Sequence, residues 1–431
     1  MVNMDRRHWI LALLMGGIHF SFHLFMRLVP PLIPVLAVAL DLPLWRLGLL
    51  VSVYFAGSSA GLLPMGVLSD RYDRRALLSI ALVVVVIGYT VFAAAPTVGE
   101  AIPTITLGGQ AFAGPYLMML AGMFLAGSGT SAHVPVGIPL LTVNTDLDHR
   151  GRLLGIWGGA SKLGDAATPA AVGVLIVLLA WQEIVMSFAV LGLVMAVALY
   201  LILSLGHFET APPEQPDDHE PPWRADRRTY LYPLLVLMGY FAAYNVVVQG
   251  VIAFTPTFVS DVYAYTLDLG QIHFAPESFA DFALSVLLIA AAISRFTSGW
   301  LVDRFEGRAV LVGSLAVATV ALYILSIATL GPILLMVVLA VFGAGLWGNS
   351  PARDSLISDL TPADREGRTF SYLWTASRVF ATISPVVIGF LADTVGIRLG
   401  FRYLAIAALV ATGFTALLFS GRVYVDGPTE A

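Results

Sequence analysis

The chain has 431 residues, 58% of them hydrophobic and only 12% charged, with a mean hydropathy of +0.85. So few charges cannot cover a water-soluble protein of this size, and the main solvent of the fold is read as a lipid bilayer. The net charge of −5 comes partly from one acidic loop, no nucleic-acid partner is expected, and the absence of cysteine excludes disulfides, a thiol nucleophile and a thiolate metal site.

Mostly apolar stretches predict spanning helices at about 20 residues per crossing. In chain order they fall near 8–38, 45–68, 76–96, 114–142, 152–179 and 182–205, then near 230–258, 279–301, 309–330, 332–354, 369–393 and 399–420. Arg6 and Arg7 ahead of the first run mimic a signal peptide. The run continues past Val35 without a small-residue cleavage site, so a retained first helix is expected. Gly206 to Thr229 carries Pro212, Pro213, Pro216, Pro221 and Pro222 among Glu214, Asp217, Asp218 and Glu220. That composition builds no core and predicts a flexible linker. The expected organisation is an N-terminal six-helix bundle over 1–205, a linker over 206–229 and a C-terminal six-helix bundle over 230–431.

Arg6, Arg7, Arg71, Arg74, Arg75, Arg150, Arg152, Arg224, Arg304, Arg308, Arg353 and Arg368 fall on one side of these spans, and Arg46, Arg398 and Arg402 on the other. The positive-inside rule then places both termini and the linker in the cytoplasm, in a multi-pass protein of the cytoplasmic (plasma) membrane.

The halves repeat each other. Gly66-Val67-Leu68-Ser69-Asp70-Arg71 returns as Gly299-Trp300-Leu301-Val302-Asp303-Arg304, an offset of 233 residues. Asp148, Gly151, Arg152, Ser161, Pro169 and Gly173 return as Asp364, Gly367, Arg368, Ser377, Pro385 and Gly389, an offset of 216. Helix 1 matches helix 7 at 222, Gly17 on Gly239 and Pro34 on Pro256. The fall from 233 to 216 predicts an insertion in the first half, at the loop from Thr97 to Ala113. Such repeats are how many membrane proteins build a site at the midplane.

Gly66-x-Leu68-x-Asp70-Arg71-x-x-Arg74-Arg75 resembles the signature loop between helices 2 and 3 of the major facilitator superfamily, and Gly299-x-Leu301-x-Asp303-Arg304-x-x-Gly307-Arg308 resembles its copy between helices 8 and 9. The resemblance implies an all-α fold of twelve transmembrane helices in two pseudo-symmetric bundles, and a transporter, not an enzyme. It also implies that Asp70, Arg71, Arg74, Arg75, Asp303, Arg304 and Arg308 latch a cytoplasmic gate; the plainer alternative is a positive-inside anchor. Asp73 departs from the pattern, standing where the family usually has glycine. The arginine that drug/proton antiporters carry in helix 4 is replaced by Met123, ahead of Gly127-Ser128-Gly129. Their helix-5 Gly-Pro pair is replaced by Gly164-Asp165.

Four cations lie inside apolar segments: Arg27, Lys162 (the one lysine of the chain), Arg295 and Arg378. Each costs at least about 2.5–3.5 kcal/mol at mid-membrane on insertion scales and needs a partner, water or a function. Asp165 is the acid placed among them, and one acid cannot neutralise four cations, so an anionic substrate is expected. Lys162 and Arg378 occupy equivalent repeat positions. Arg295 and Arg378 resemble the paired basic residues on helices 8 and 11 of oxalate/formate-type exchangers. The alternatives are a local Lys162–Asp165 pair, three residues apart on one helix, and a snorkelling Arg295.

His19, His23 and Arg27 recur at a spacing of four and share a helix face. Helix 7 repeats the last two as Asn245 and Gln249, so both enter the expected substrate-binding set, and His133 aligns with Asn349. His23, His133 and Asp165 are the expected proton-coupling residues; a neutral hydrogen-bonded histidine is the alternative, favoured for His19. Pro30, Pro31 and Pro34 are expected to bend the outer part of helix 1. There is no phosphate-binding loop, the histidine spacing argues against a metal site, and no cofactor is expected. The resulting expectation is a secondary active transporter of a small organic anion working by alternating access, coupled to protons or a counter-anion. Its rivals are a drug or amphiphile exporter, helix 1 being similar to that of fosmidomycin-resistance exporters, and a non-transporting receptor.

Overall fold

The computed structural model describes residues 6–206, 208–211, 227–302, 304–359 and 366–419. The first half runs α1 (Arg6–Met26), α2 (Val29–Leu40), α3 (Leu44–Ser69), α4 (Arg74–Val98), β1 (Ile105–Leu107), β2 (Gln110–Phe112), α5 (Gly114–Thr130), α6 (His133–Val143), α7 (Leu147–Leu175) and α8 (Trp181–Leu205). The second runs α9 (Arg227–Val262), β3 (Leu267–Leu269), β4 (Ile272–Phe274), α10 (Pro276–Val302), α11 (Gly307–Ile327), α12 (Pro332–Gly348), α13 (Ser350–Asp359), α14 (Glu366–Val395) and α15 (Ile397–Ala416).

Among the described residues eleven helical segments are long and apolar enough to cross a membrane, with α1–α2, α5–α6 and α12–α13 each forming one crossing. The twelfth, α7, has the length at 29 residues but carries Arg150, Arg152, Lys162 and Asp165. The predicted all-α membrane architecture is present. By contacts the chain forms two compact units. One comprises Met1–Leu42, Leu49–Asp217 and Thr266–Ser285, and the other Pro43–Gly48, Asp218–Tyr265 and Val286–Ala431. Most of the expected linker lies outside the described residues.

The sequence repeat is also a packing repeat. In the first half α1 packs on α7, and α4 packs on α5 and α8. In the second half α9 packs on α14, and α11 packs on α12 and α15. Lipid tails give no hydrophobic drive for such contacts, so the attraction comes from van der Waals packing, which small residues strengthen by letting backbones touch. At the α4–α5 crossing a Cβ on Gly88 would stand 2.5 Å from Ala126 N, and one on Gly122 would stand 2.6 Å from Gly88 O.

Each change of repeat offset is a β-hairpin. The loop from Thr97 to Ala113, expected as an insertion, holds the antiparallel pair β1–β2, turned by Gly108 and Gly109, both at positive φ. The rise from 222 to 233 between helices 7 and 8 coincides with a second antiparallel hairpin, β3–β4, turned at Gly270. Neither hairpin was expected from the sequence, which pointed only to an insertion in the first loop. Helix 1 is broken: α1 stops at Met26, and α2 starts with Pro30 and Pro31 in its first turn. Proline is tolerated there because its missing N–H has no partner to lose.

Candidate functional site

The packing of α1 on α7 brings together the polar residues that the sequence placed on each. Asp165, 1% exposed, is the centre. Lys162 Nζ donates to its Oδ2 at 2.6 Å, one turn away on α7. Arg27 Nε donates to Oδ1 at 2.8 Å from the break after α1. His23 Nδ1 lies 2.9 Å from the same Oδ1; an ionised carboxylate only accepts, so Nδ1 carries the hydrogen. The local Lys162–Asp165 pair is therefore real, but it does not use up the site. One carboxylate faces two permanent cations and an imidazole, which leaves a surplus of positive charge in this cluster.

A histidine layer lies beside this cluster. His19 Nδ1 donates to Trp157 O at 2.8 Å, and its ring stacks on the Trp157 indole with centroids 4.0 Å apart. His19 is thus bonded to a neighbouring helix, as the plainer alternative held. His133, buried at the start of α6, turns Nδ1 to Thr130 O. Ring nitrogens of His19, His23 and His133 come within 4.8 Å of one another. This convergence is not visible in the histidine spacing, because it joins three residues of two separate helices. Arg27 and Lys162 nevertheless make the neighbourhood repulsive to a dication.

His133 and its repeat partner Asn349 mark matching helix breaks, between α5 and α6 and between α12 and α13. Each turns a side-chain N–H to the carbonyl three residues back, His133 to Thr130 and Asn349 to Leu346. Tyr240 of α9 donates to Asn349 Oδ1 at 3.0 Å.

The remaining candidates sit in the other unit. Arg378 is half-buried in α14, Arg295 is exposed on α10, and Gln249 is buried on α9. Half-buried Asn245 donates to Phe241 O of its own helix at 2.9 Å. Arg353, read from the sequence as a cytoplasmic-side arginine, is buried, 2.8 Å from Asp354 and 5.3 Å above the Phe241 ring.

In the first signature loop Asp70 and Arg71 are exposed and Arg74 is buried. Asp73, the departure from the family pattern, is the N-cap of α4, accepting from Arg75 N and Ala76 N. Its Oδ2 also takes the Arg75 guanidinium at 2.9 Å. An aspartate there closes the turn that glycine would otherwise supply. In the second loop Arg304 stacks on Trp300 at 4.0 Å and Arg308 pairs with Glu306 at 3.3 Å. Asp303 lies outside the described residues.

The family model described as Major Facilitator Superfamily matches residues 15–279 and 268–430. The chain belongs to the Major Facilitator Superfamily. It is 26% identical over 409 residues to a probable nitrate/nitrite transporter of Mycobacterium tuberculosis, covering 91% of each chain. It is 22% identical over 420 residues to a probable L-galactonate transporter of Escherichia coli K12, covering 91% of this chain and 84% of that one. A homologue of a multidrug resistance efflux pump from Lactococcus lactis is 24% identical over 319 residues, 73% of each chain. The fold is that of the bacterial homologue of the human lysosomal transporter Spinster, in its inward-facing, unoccupied crystal structure, with a TM-score of 0.73 at 14% identity over 96% of this chain and 97% of that one. As a Major Facilitator Superfamily protein the chain is a secondary transporter of small molecules and not an enzyme. The relatives carry different substrates in their names, so they fix the superfamily and leave the subfamily open.

Proposed function

We propose that this transporter moves a small organic anion by alternating access, coupled to protons or to a counter-anion. The observation that carries the reading is the Asp165 cluster: two permanent cations, the buried Arg27 and the half-buried Lys162, share one carboxylate. A substrate that brings negative charge offsets that surplus, whereas a cationic one adds to it. Two of the three relatives named above have anions in their names, which supports the same reading.

Substrate contacts are assigned to Arg27, Lys162, Arg295, Arg378, Asn245 and Gln249. Proton coupling is assigned to His23 and His133 around Asp165, and the gate to the two signature loops. Each half of the sequence forms one bundle, and the arginine-rich loops and both termini face the cytoplasm across the plasma membrane. The efflux-pump relative favours a second reading, an exporter of drugs or amphiphiles.

Reconstituted protein tests the choice with nitrate, L-galactonate and a lipophilic cation as probes. Uptake or exchange of an anionic probe, with no flux of the cation, is expected; the reverse pattern would overturn the proposal. Arg378→Gln should weaken anion binding about ten- to a hundredfold, the equivalent of about 1.5–3 kcal/mol for a charge-assisted contact. Arg378→Lys should fall between, since it keeps the charge and loses the planar fork. Equal affinity of Arg378→Gln and wild type for every anionic probe bound would refute the assignment of Arg378.

A further inference from the structure

Asp165 and Asp281 are the two buried acids among the described residues, and their surroundings are opposite. Both oxygens of Asp165 are taken up by Arg27, Lys162 and His23. Asp281, in the second turn of α10, is 0% exposed, and among the described residues neither of its carboxylate oxygens has a hydrogen-bond partner. Ser278, three residues earlier and so on the same helix face, is equally buried, with an unpartnered hydroxyl.

α7 covers this face from the same compact unit. Gly173 approaches so closely that a Cβ there would lie 3.0 Å from Asp281 Cβ and 3.1 Å from Ser278 O. Among the described residues the charged groups near it supply no counter-ion. Glu277, on the same helix, has the same sign. His273, on β4, is exposed and paired with Asp268. The facing stretch of α7 presents Gly173, and the residues following the helix, Ile176, Val177 and Leu179, are also uncharged. A cavity of about 450 Å³ reaches Ser278, one turn before the acid, and is also lined by Glu277, His273, Ile176, Trp181 and Val35.

A buried carboxylate with neither hydrogen bond nor counter-charge is among the most expensive arrangements inside a membrane protein. Charge balance calls for a cation that enters and leaves. Two carboxylate oxygens and one hydroxyl are too few to replace the oxygen shell of a metal cation, whereas a proton needs a single oxygen. We propose that Asp281 carries a coupling proton of its own, in addition to the His23 and His133 layer, loaded and unloaded through the cavity that reaches Ser278. This rests on the anion-transport reading and extends it: the coupling ion then has its own acid on α10, remote in sequence from the α1–α7 cluster.

Two measurements on full-length protein test the proposal. In proteoliposomes with nitrate and L-galactonate as probes, Asp281→Asn should retain anion exchange at equal pH on both sides and lose accumulation driven by a pH gradient. Asp281→Glu should restore part of that accumulation. Undiminished accumulation by Asp281→Asn, or accumulation driven by a sodium gradient at constant pH and abolished by the same variant, overturns the proton assignment. The second measurement needs no substrate. Thermal unfolding in detergent across neutral and alkaline pH should show wild type losing Tm relative to Asp281→Asn, whose amide cannot ionise, while Glu277→Gln should track wild type. Parallel wild-type and Asp281→Asn curves overturn the proposal. If neither anionic probe moves while the Tm difference appears, the anion reading fails and the proton site stands.

Discussion

Replacing Asp165 by asparagine removes the one negative charge from a buried cluster that holds Arg27, Lys162 and His23. At an effective dielectric of about 20, a pair of unit charges 2.6–2.8 Å apart is worth about 6 kcal/mol before desolvation, and the wild-type carboxylate makes two such contacts. Desolvation offsets much of this, but removing one partner of a buried pair still costs about 3–5 kcal/mol, because the other charge is left without compensation. Against a total stability of about 5–15 kcal/mol for a typical fold, Asp165→Asn should lower the unfolding temperature in detergent by many degrees. Lys162→Met should cost less, since Asp165 keeps Arg27 and His23. The double variant Lys162→Met/Asp165→Asn should be more stable than Asp165→Asn alone, because one of the two orphaned cations is gone. Nitrate in the buffer should raise the Tm of Asp165→Asn more than that of wild type, the anion replacing the missing carboxylate. Tryptophan fluorescence, with Trp157 one helical face away, follows the transition. Wild-type Tm for Asp165→Asn, or a double variant no better than the single one, would refute the charge-balance reasoning.

Three further outcomes are expected. Asp70→Asn and Asp303→Asn should slow transport while leaving insertion and substrate affinity nearly intact; wild-type flux in both would leave the loops as simple anchors. His23→Gln or His133→Gln should blunt the response of anion uptake to an imposed pH gradient, measured as the ratio of initial rates with and without the gradient. Gly88→Leu should destabilise the first half strongly, since its Cβ alone meets Ala126 N at 2.5 Å; a mild loss in a melting assay would mean the α4–α5 crossing can open without cost.

The architecture was legible because hydropathy, charge asymmetry and repetition all act along the chain. The changes of repeat offset on either side of Gly299 coincide with the hairpins, but the sequence pointed only to an insertion in the first of the two loops, not to a hairpin in either. The Asp165 cluster was half legible. The spacing of four put His23 and Arg27 on one face, and the spacing of three joined Lys162 to Asp165, but that the two sets meet depends on α1 packing against α7. The breaks at His133 and Asn349 were hidden for a similar reason: a side-chain N–H that bonds the carbonyl three residues back leaves no mark in composition. Asp281 escaped notice because it follows the polar segment around Glu277, where hydropathy reads an acid as interfacial. Its burial comes from the close approach of Gly173, a tertiary contact.

The two hairpins have a practical use. The sequence contains no cysteine at all, so a single engineered thiol becomes a unique chemical handle without any background substitutions. Gln110 of β2 and Gln271 at the β3–β4 turn are both exposed, and at the neighbouring turn glycines Gly108, Gly109 and Gly270 an added Cβ would meet nothing within 4 Å. A dye or spin label at either tip would report on α4–α5 or on α9–α10 without disturbing a packed surface. The same exposed turns offer epitopes for an antibody fragment, which a helical membrane protein of about 46 kDa needs to become a tractable particle for electron microscopy.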